Sequence, residues 1–255
     1  MQTLCPYETA TLGGSAFCSL FTEQEWLDFN YNIDIQYYGD YSFGSSTGRA
    51  QGIGYILELA ARLQGKLIQS SDTSINYTFD NNEAQFPLHQ PLYMDMSHDS
   101  NIISVLTALG LEYFNYGPHG LPPLPHAPPR NFSTNQVTPY GARLVSEIWT
   151  CPTSSTRNAS LRHLDPVLYH NPDLSSGPSS RNTTEYIRFV LNGAPLPLDG
   201  VAGCQEHSVN GFCAVPEFLK AVPKMKQNAE YQYACFGKHN AGGGQVGDGK
   251  PVNKT

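Results

Sequence analysis

Between Leu92 and Leu111 the hydrophobic period of the chain changes abruptly, and this change restricts the fold more than any other feature. Leu92, Met94 and Met96 alternate with Tyr93 and Asp95, the pattern of a short strand. After the polar corner Ser97-His98-Asp99, Ile102, Leu106 and Leu109 share one face of a helix over Ser100–Leu111, with Gly110 as a stop. Strand, corner and helix within about 20 residues are the ordinary geometry of an α/β edge.

The flanking sequence supplies helices and loops for such a layer. Thr22-Glu23-Gln24-Glu25 has the form of a capping box, and Trp26, Phe29, Ile33 and Tyr37 follow at helical spacing. A Gly/Ser turn over Gly44–Gly48 leads to a second amphipathic helix, with Ile53, Ile56, Leu57, Ala60 and Leu63 on one face. Residues 70–86 read as a polar loop, and 117–130, with six prolines, as a semi-rigid one. Residues 152–185, rich in Ser, Asn, Pro and Thr, read as a solvated surface insertion. Arg143–Thr150 and Tyr186–Leu191 suit strands, and Asn192-Gly193 is a hairpin turn. Residues 237–255, with Gly242-Gly243-Gly244, are expected to form a flexible tail.

Composition excludes whole classes of function. Of 255 residues, 40% are hydrophobic and 15% charged, so a sizeable core is available and charge-driven disorder is not. The net charge of −7 argues against a nucleic-acid partner, which needs a basic stripe to displace counterions. No run approaches the ~18 apolar residues of a membrane span. Six cysteines and N-x-[ST] sequons at Asn76, Asn131, Asn158, Asn182 and Asn253 favour an oxidising, secretory route to the extracellular space or cell wall. Met1–Ala16 has neither the basic start nor the apolar core of a signal peptide, so the natural N-terminus is expected upstream of Met1.

Two short motifs fail on context. Gly244–Gly249 with Lys250 has phosphate-loop spacing, but Pro251 stands where the hydroxyl residue belongs and no strand precedes it. Gly44-Ser45-Ser46-Thr47-Gly48 matches a nucleophile elbow, which would make Ser46 an esterase nucleophile. The aromatic, polar stretch Tyr37–Phe43 before it is not a buried strand. The eight histidines, His119, His126 and His163 among them, show no metal-ligand spacing, so neither metal nor cofactor is expected.

His98 and Asp99 therefore stand out. They lie where a strand ends and a helix begins, the place at which α/β layers bind ligands and helix N–H groups meet anions. Taken alone, the residues leave two readings open: a ligand site, or an N-cap supplied by Asp99, Ser100 or Asn101.

Leu92–Asp99, followed by Ile102-Ile103-Ser104 and Ala108-Leu109-Gly110-Leu111, resembles the His-Asp segment of histidine acid phosphatases, the family that includes fungal phytases. The likeness extends in order through Leu4–Thr9, Phe17–Thr22, Tyr37-Tyr38-Gly39, Ala50–Tyr55 with Glu58-Leu59, Pro139–Arg143 and Arg188–Leu191 to Cys204, Cys213 and Cys235. It implies part of a phosphoglycerate-mutase-like three-layer α/β domain over 46–236, with 1–45 as the end of a smaller inserted α-helical domain. In that family a histidine within R-H-G-x-R-x-P attacks phosphorus, arginines and the histidine of the His-Asp pair hold the phosphate, and the aspartate protonates the leaving oxygen. Carried over by motif, His98 binds phosphate and Asp99 is the general acid, which suits an acidic operating pH. No R-H-G occurs in the chain, so it is expected to be inactive alone and to match only the C-terminal half of the family.

The resemblance further implies bridges Cys5–Cys18 and Cys204–Cys213, with Cys151 and Cys235 unpaired in this chain. The implied substrate is a small phosphomonoester, phytate included. Ile35-Gln36 replace the Lys-Lys that several phytases carry before Tyr-Tyr-Gly, which leans toward a broad acid phosphatase. A non-catalytic secreted glycoprotein that binds phosphorylated ligands is the alternative from another class.

Overall fold

A computed structural model describes residues 1–124, 126–152, 183–204, 211–238 and 248–251. Helices α1 (Leu4–Leu12), α2 (Glu23–Tyr41), α3 (Gly48–Gln64), α4 (Tyr77–Asp80), α5 (Asp99–Leu109) and α6 (Thr134–Val137) precede strands β1 (Leu144–Pro152) and β2 (Thr183–Leu191). Strands β3 (Ala194–Pro195) and β4 (Phe212–Ala214) and helices α7 (Val215–Ala229) and α8 (Tyr231–Phe236) follow.

Helix α2 starts as its capping box requires: the Glu25 N–H donates to the Thr22 hydroxyl, and the Thr22 N–H donates to Glu25 Oε2 at 2.7 Å. Its inner face buries Tyr31, Asp34 and Tyr38. Asp34 is fully buried and accepts bonds from Arg130 Nε and the Thr134 N–H, both at 2.6 Å. The Tyr31 hydroxyl donates to the Pro122 carbonyl. The proline-rich stretch is thereby pinned to α2 and not merely draped over the surface.

The core lies where α3, α5 and α7 meet β2. Ile53 and Ile56, Ile103 and Leu109, Ile187 and Phe189, and Phe218 are each fully buried there. Helices α3 and α5 touch closely at Gly52, where a Cβ would collide with the Ser104 carbonyl. The sheet is antiparallel: β2 pairs along its whole length with β1, and its other edge is shared by β3 and β4. Asn192 and Gly193, with φ of 52° and 90°, turn the β2–β3 hairpin as the sequence indicates. Across β1 and β2, Glu147 opposes Arg188 in register and pairs with it at 2.7 Å.

Two segments differ from the sequence reading, and one helix carries no local signal in it. Leu4–Leu12 is helical although none of its residues is buried, so no apolar stripe announces it. Residues 70–86 are not featureless: α4 forms, and Ile75 and Phe86 are buried. Leu92–Met96 is not a strand, because no described strand lies beside it to complete a ladder. Its alternating side chains consequently face solvent, with Leu92, Met94 and Met96 exposed by 71%, 78% and 94%. Disulfides join Cys5 to Cys18 and Cys204 to Cys213, each with Cα atoms 4.9 Å apart, and Cys151 and Cys235 are free.

Candidate active site

His98 is the N-cap of α5 in extended conformation, and its side chain makes no capping bond. Asp99 is the first helical residue, so neither it nor Ser100 or Asn101 is the cap. A carboxylate in the first turn suits the positive end of the helix. Asp99 Oδ1 accepts the Ser100 N–H at 2.7 Å, and Oδ2 accepts the Tyr37 hydroxyl at 2.9 Å. The second bond ties α2 to the start of α5. That bond to the Asp99 carboxylate, helped by burial, pushes the Tyr37 phenol up to about 12. Both His98 and Asp99 are exposed, open to a ligand arriving from solution.

The segment leading to His98 is held by Arg62 of α3. Its largely buried guanidinium pairs with Asp95 Oδ2 at 3.2 Å and Glu58 Oε2 at 3.6 Å, and faces the rings of Tyr93 at 4.9 Å and Phe86 at 5.0 Å. Burial, with Asp80 nearby and Arg62 opposing, pushes the Glu58 carboxyl up to about 7. Sequence reasoning did not single out Tyr37, Glu58 or Arg62 for the site. Tyr37 sits at core spacing on α2, and the i,i+4 pair Glu58–Arg62 reads as ordinary helix surface.

The other ion-paired arginines are committed elsewhere: Arg49 to Asp248, Arg130 to Asp34 and Arg188 to Glu147. Among the described residues none of them bonds to His98 or Asp99. Ser46 follows the end of α2, not a strand, and among the described residues no histidine bonds to it, so the elbow geometry does not form. Arg162-His163 and most of the Gly244–Lys250 motif lie outside the described residues. Among the described residues no group of three His, Cys, Asp or Glu is placed to hold a metal, and no helix is long and apolar enough to cross a membrane.

A model of the histidine phosphatase superfamily (branch 2) matches residues 1–192. Phytase A of Emericella nidulans is 38% identical over 157 residues, covering 59% of this chain and 34% of the relative. Phytase A of Aspergillus fumigatus is 35% identical over 247 residues, covering 92% of this chain and 44% of the relative. The chain thus spans between a third and a half of these curated relatives. The crystal structure of the phytase from D. castellii superposes with a TM-score of 0.57 at 20% identity, covering 93% of this chain and 39% of that one. The histidine–aspartate corner, the mixed helix-and-sheet fold and the extended similarity lead to one conclusion: the chain belongs to the histidine phosphatase superfamily, branch 2.

Proposed function

We propose that this chain supplies the phosphate-binding histidine and the proton donor of a secreted acid phosphatase of the phytase type. His98 binds a phosphate oxygen of a phosphomonoester, and Asp99 protonates the leaving alkoxide as the P–O bond breaks. A leaving alkoxide is strongly basic, so an acid within hydrogen-bond reach removes the largest penalty of the step. The observation that carries this reading is the Asp99 carboxyl, fixed by Tyr37 at the start of α5 and exposed beside His98. The phosphorus-attacking histidine and its arginines would come from an R-H-G-x-R-x-P segment, which this sequence does not contain. Without a covalent nucleophile the chain by itself has no path to turnover.

The experiment is to mix this chain with a family segment that carries R-H-G-x-R-x-P and follow phosphate release from glycerol 2-phosphate, an alkyl phosphomonoester whose leaving oxygen needs the proton. In the complemented enzyme, His98→Ala is expected to raise KM, and Asp99→Asn to lower kcat by roughly 10²–10⁴-fold. Equal activity in Asp99→Asn would remove Asp99 from the proton-donor role. Exposed Asn76 and Asn131 support glycosylation of a secreted product. Expression in a secreting host should therefore give a mass that falls on glycosidase treatment.

A further inference from the structure

Arg49 is in an unusual place for a cation. It lies in the first turn of α3, where the helix end is already positive, and it is only 5% exposed. The Phe43 ring, 5.3 Å from its guanidinium carbon, offers a π face but no counter-charge. The charge is matched by a residue 199 positions away: Arg49 Nη2 donates to Asp248 Oδ1 at 2.8 Å, and Nε to the Asp248 carbonyl. Asn115 Nδ2 adds a second bond to that carboxylate at 3.1 Å.

The next residue is read through its backbone. The Arg49 N–H donates to the Gly249 carbonyl at 2.9 Å, and the Gly249 N–H donates to the Phe43 carbonyl at 3.0 Å. Gly249 has φ of 70°, and a Cβ there would lie 2.8 Å from Thr107 Cγ2 and 2.9 Å from Arg49 Cγ. A residue with a side chain fits neither the conformation nor the space. Carboxylate, backbone and absence of a side chain are thus each sensed separately. Beside Asp248 a cavity of about 260 Å³ continues past Glu112, Lys224 and Asn228.

From this geometry we infer that the Arg49 pocket is a receptor for an acidic-residue–glycine peptide, and that Asp248-Gly249 is its tethered ligand. The receptor is formed by the start of α3, Thr107 near the end of α5, and Asn115. The occupant is a polypeptide carrying a carboxylate followed by glycine.

The probe is a synthetic peptide of residues 245–252, titrated by calorimetry into the full chain bearing Asp248→Ala and Gly249→Ala, whose own tail can no longer dock. It should bind at one site per chain. Replacing Asp248 or Gly249 within the peptide should weaken binding at least about tenfold, as should adding Arg49→Met to the chain. The wild-type chain, already filled, should take up the peptide at least about tenfold more weakly. No binding to the double variant, or equal binding to both chains, overturns the proposal. Should the double variant lose its folded circular-dichroism spectrum, hydrogen exchange on the wild-type chain decides. A protected Gly249 amide that becomes unprotected in Arg49→Met supports the receptor, and an unprotected one in the wild type refutes it.

Discussion

Tyr37 and Glu58 carry electrostatic signatures that link sequence position to chemistry. The Tyr37 phenol is held up by the Asp99 carboxylate accepting its proton, so removing that acceptor should release it. In Asp99→Asn the Tyr37 ring-carbon resonance should titrate closer to the ordinary tyrosine value near 10. An unchanged titration would mean that burial alone sets it. Glu58 makes a prediction of opposite character. Its carboxyl is raised in the folded protein from 4.5 to about 7, so the folded state binds more protons between those values. The stability due to this group is fully present below about pH 4.5 and is lost as pH rises through about 7, on the order of 2 kcal/mol. Glu58→Gln should flatten that part of the stability–pH curve, measured by denaturant melts. His98 and Asp99 are marked in the sequence by a motif, and they adjoin at the start of α5. Tyr37 and Arg62 are not, since a tyrosine at core spacing and an i,i+4 ion pair do not reveal what they will touch across the fold.

The elements were legible where two local signals agreed. Helix α2 had both a capping box and a helical period, and the β2–β3 hairpin had both β-branched strand residues and Asn-Gly. Helix α7 is the instructive omission: Pro216 suits a first turn, but Pro223 lies inside the helix and obscures the stripe of Phe218, Val222 and Met225. Leu92–Met96 shows the opposite problem. Its period is that of a strand, yet a strand exists only with a neighbour, and the pattern cannot say where the neighbour is. Limited peroxide treatment should oxidise Met94 and Met96 well before Met225, which is only 5% exposed; peptide mass spectrometry would read the order. Equal rates would mean that the segment is covered. The buried Asp34–Arg130 pair joins α2 to the end of the proline stretch. Asp34→Ala leaves a largely buried arginine unpaired and should cost about 3–5 kcal/mol in unfolding free energy.

At the scale of the whole molecule, the proposed reading makes this chain one end of a phosphatase site. The Asp99 carboxyl is fixed by a helix from the first 45 residues, and the apolar segment leading to His98 is uncovered. Arg49, Arg130 and Arg188 are engaged away from the site. These features fit a protein that reacts only when a further R-H-G-x-R-x-P segment is supplied. The most direct measurement is acid-stable isolation versus base-stable trapping of labelled phosphate after rapid quench with a phosphomonoester. It would be made on this chain alone and after addition of a family segment that carries R-H-G-x-R-x-P. The expected result is no phosphohistidine on this chain in either case, and base-stable, acid-labile label on the added portion. Phosphohistidine on a residue of this chain, or turnover by the chain alone, would contradict the account.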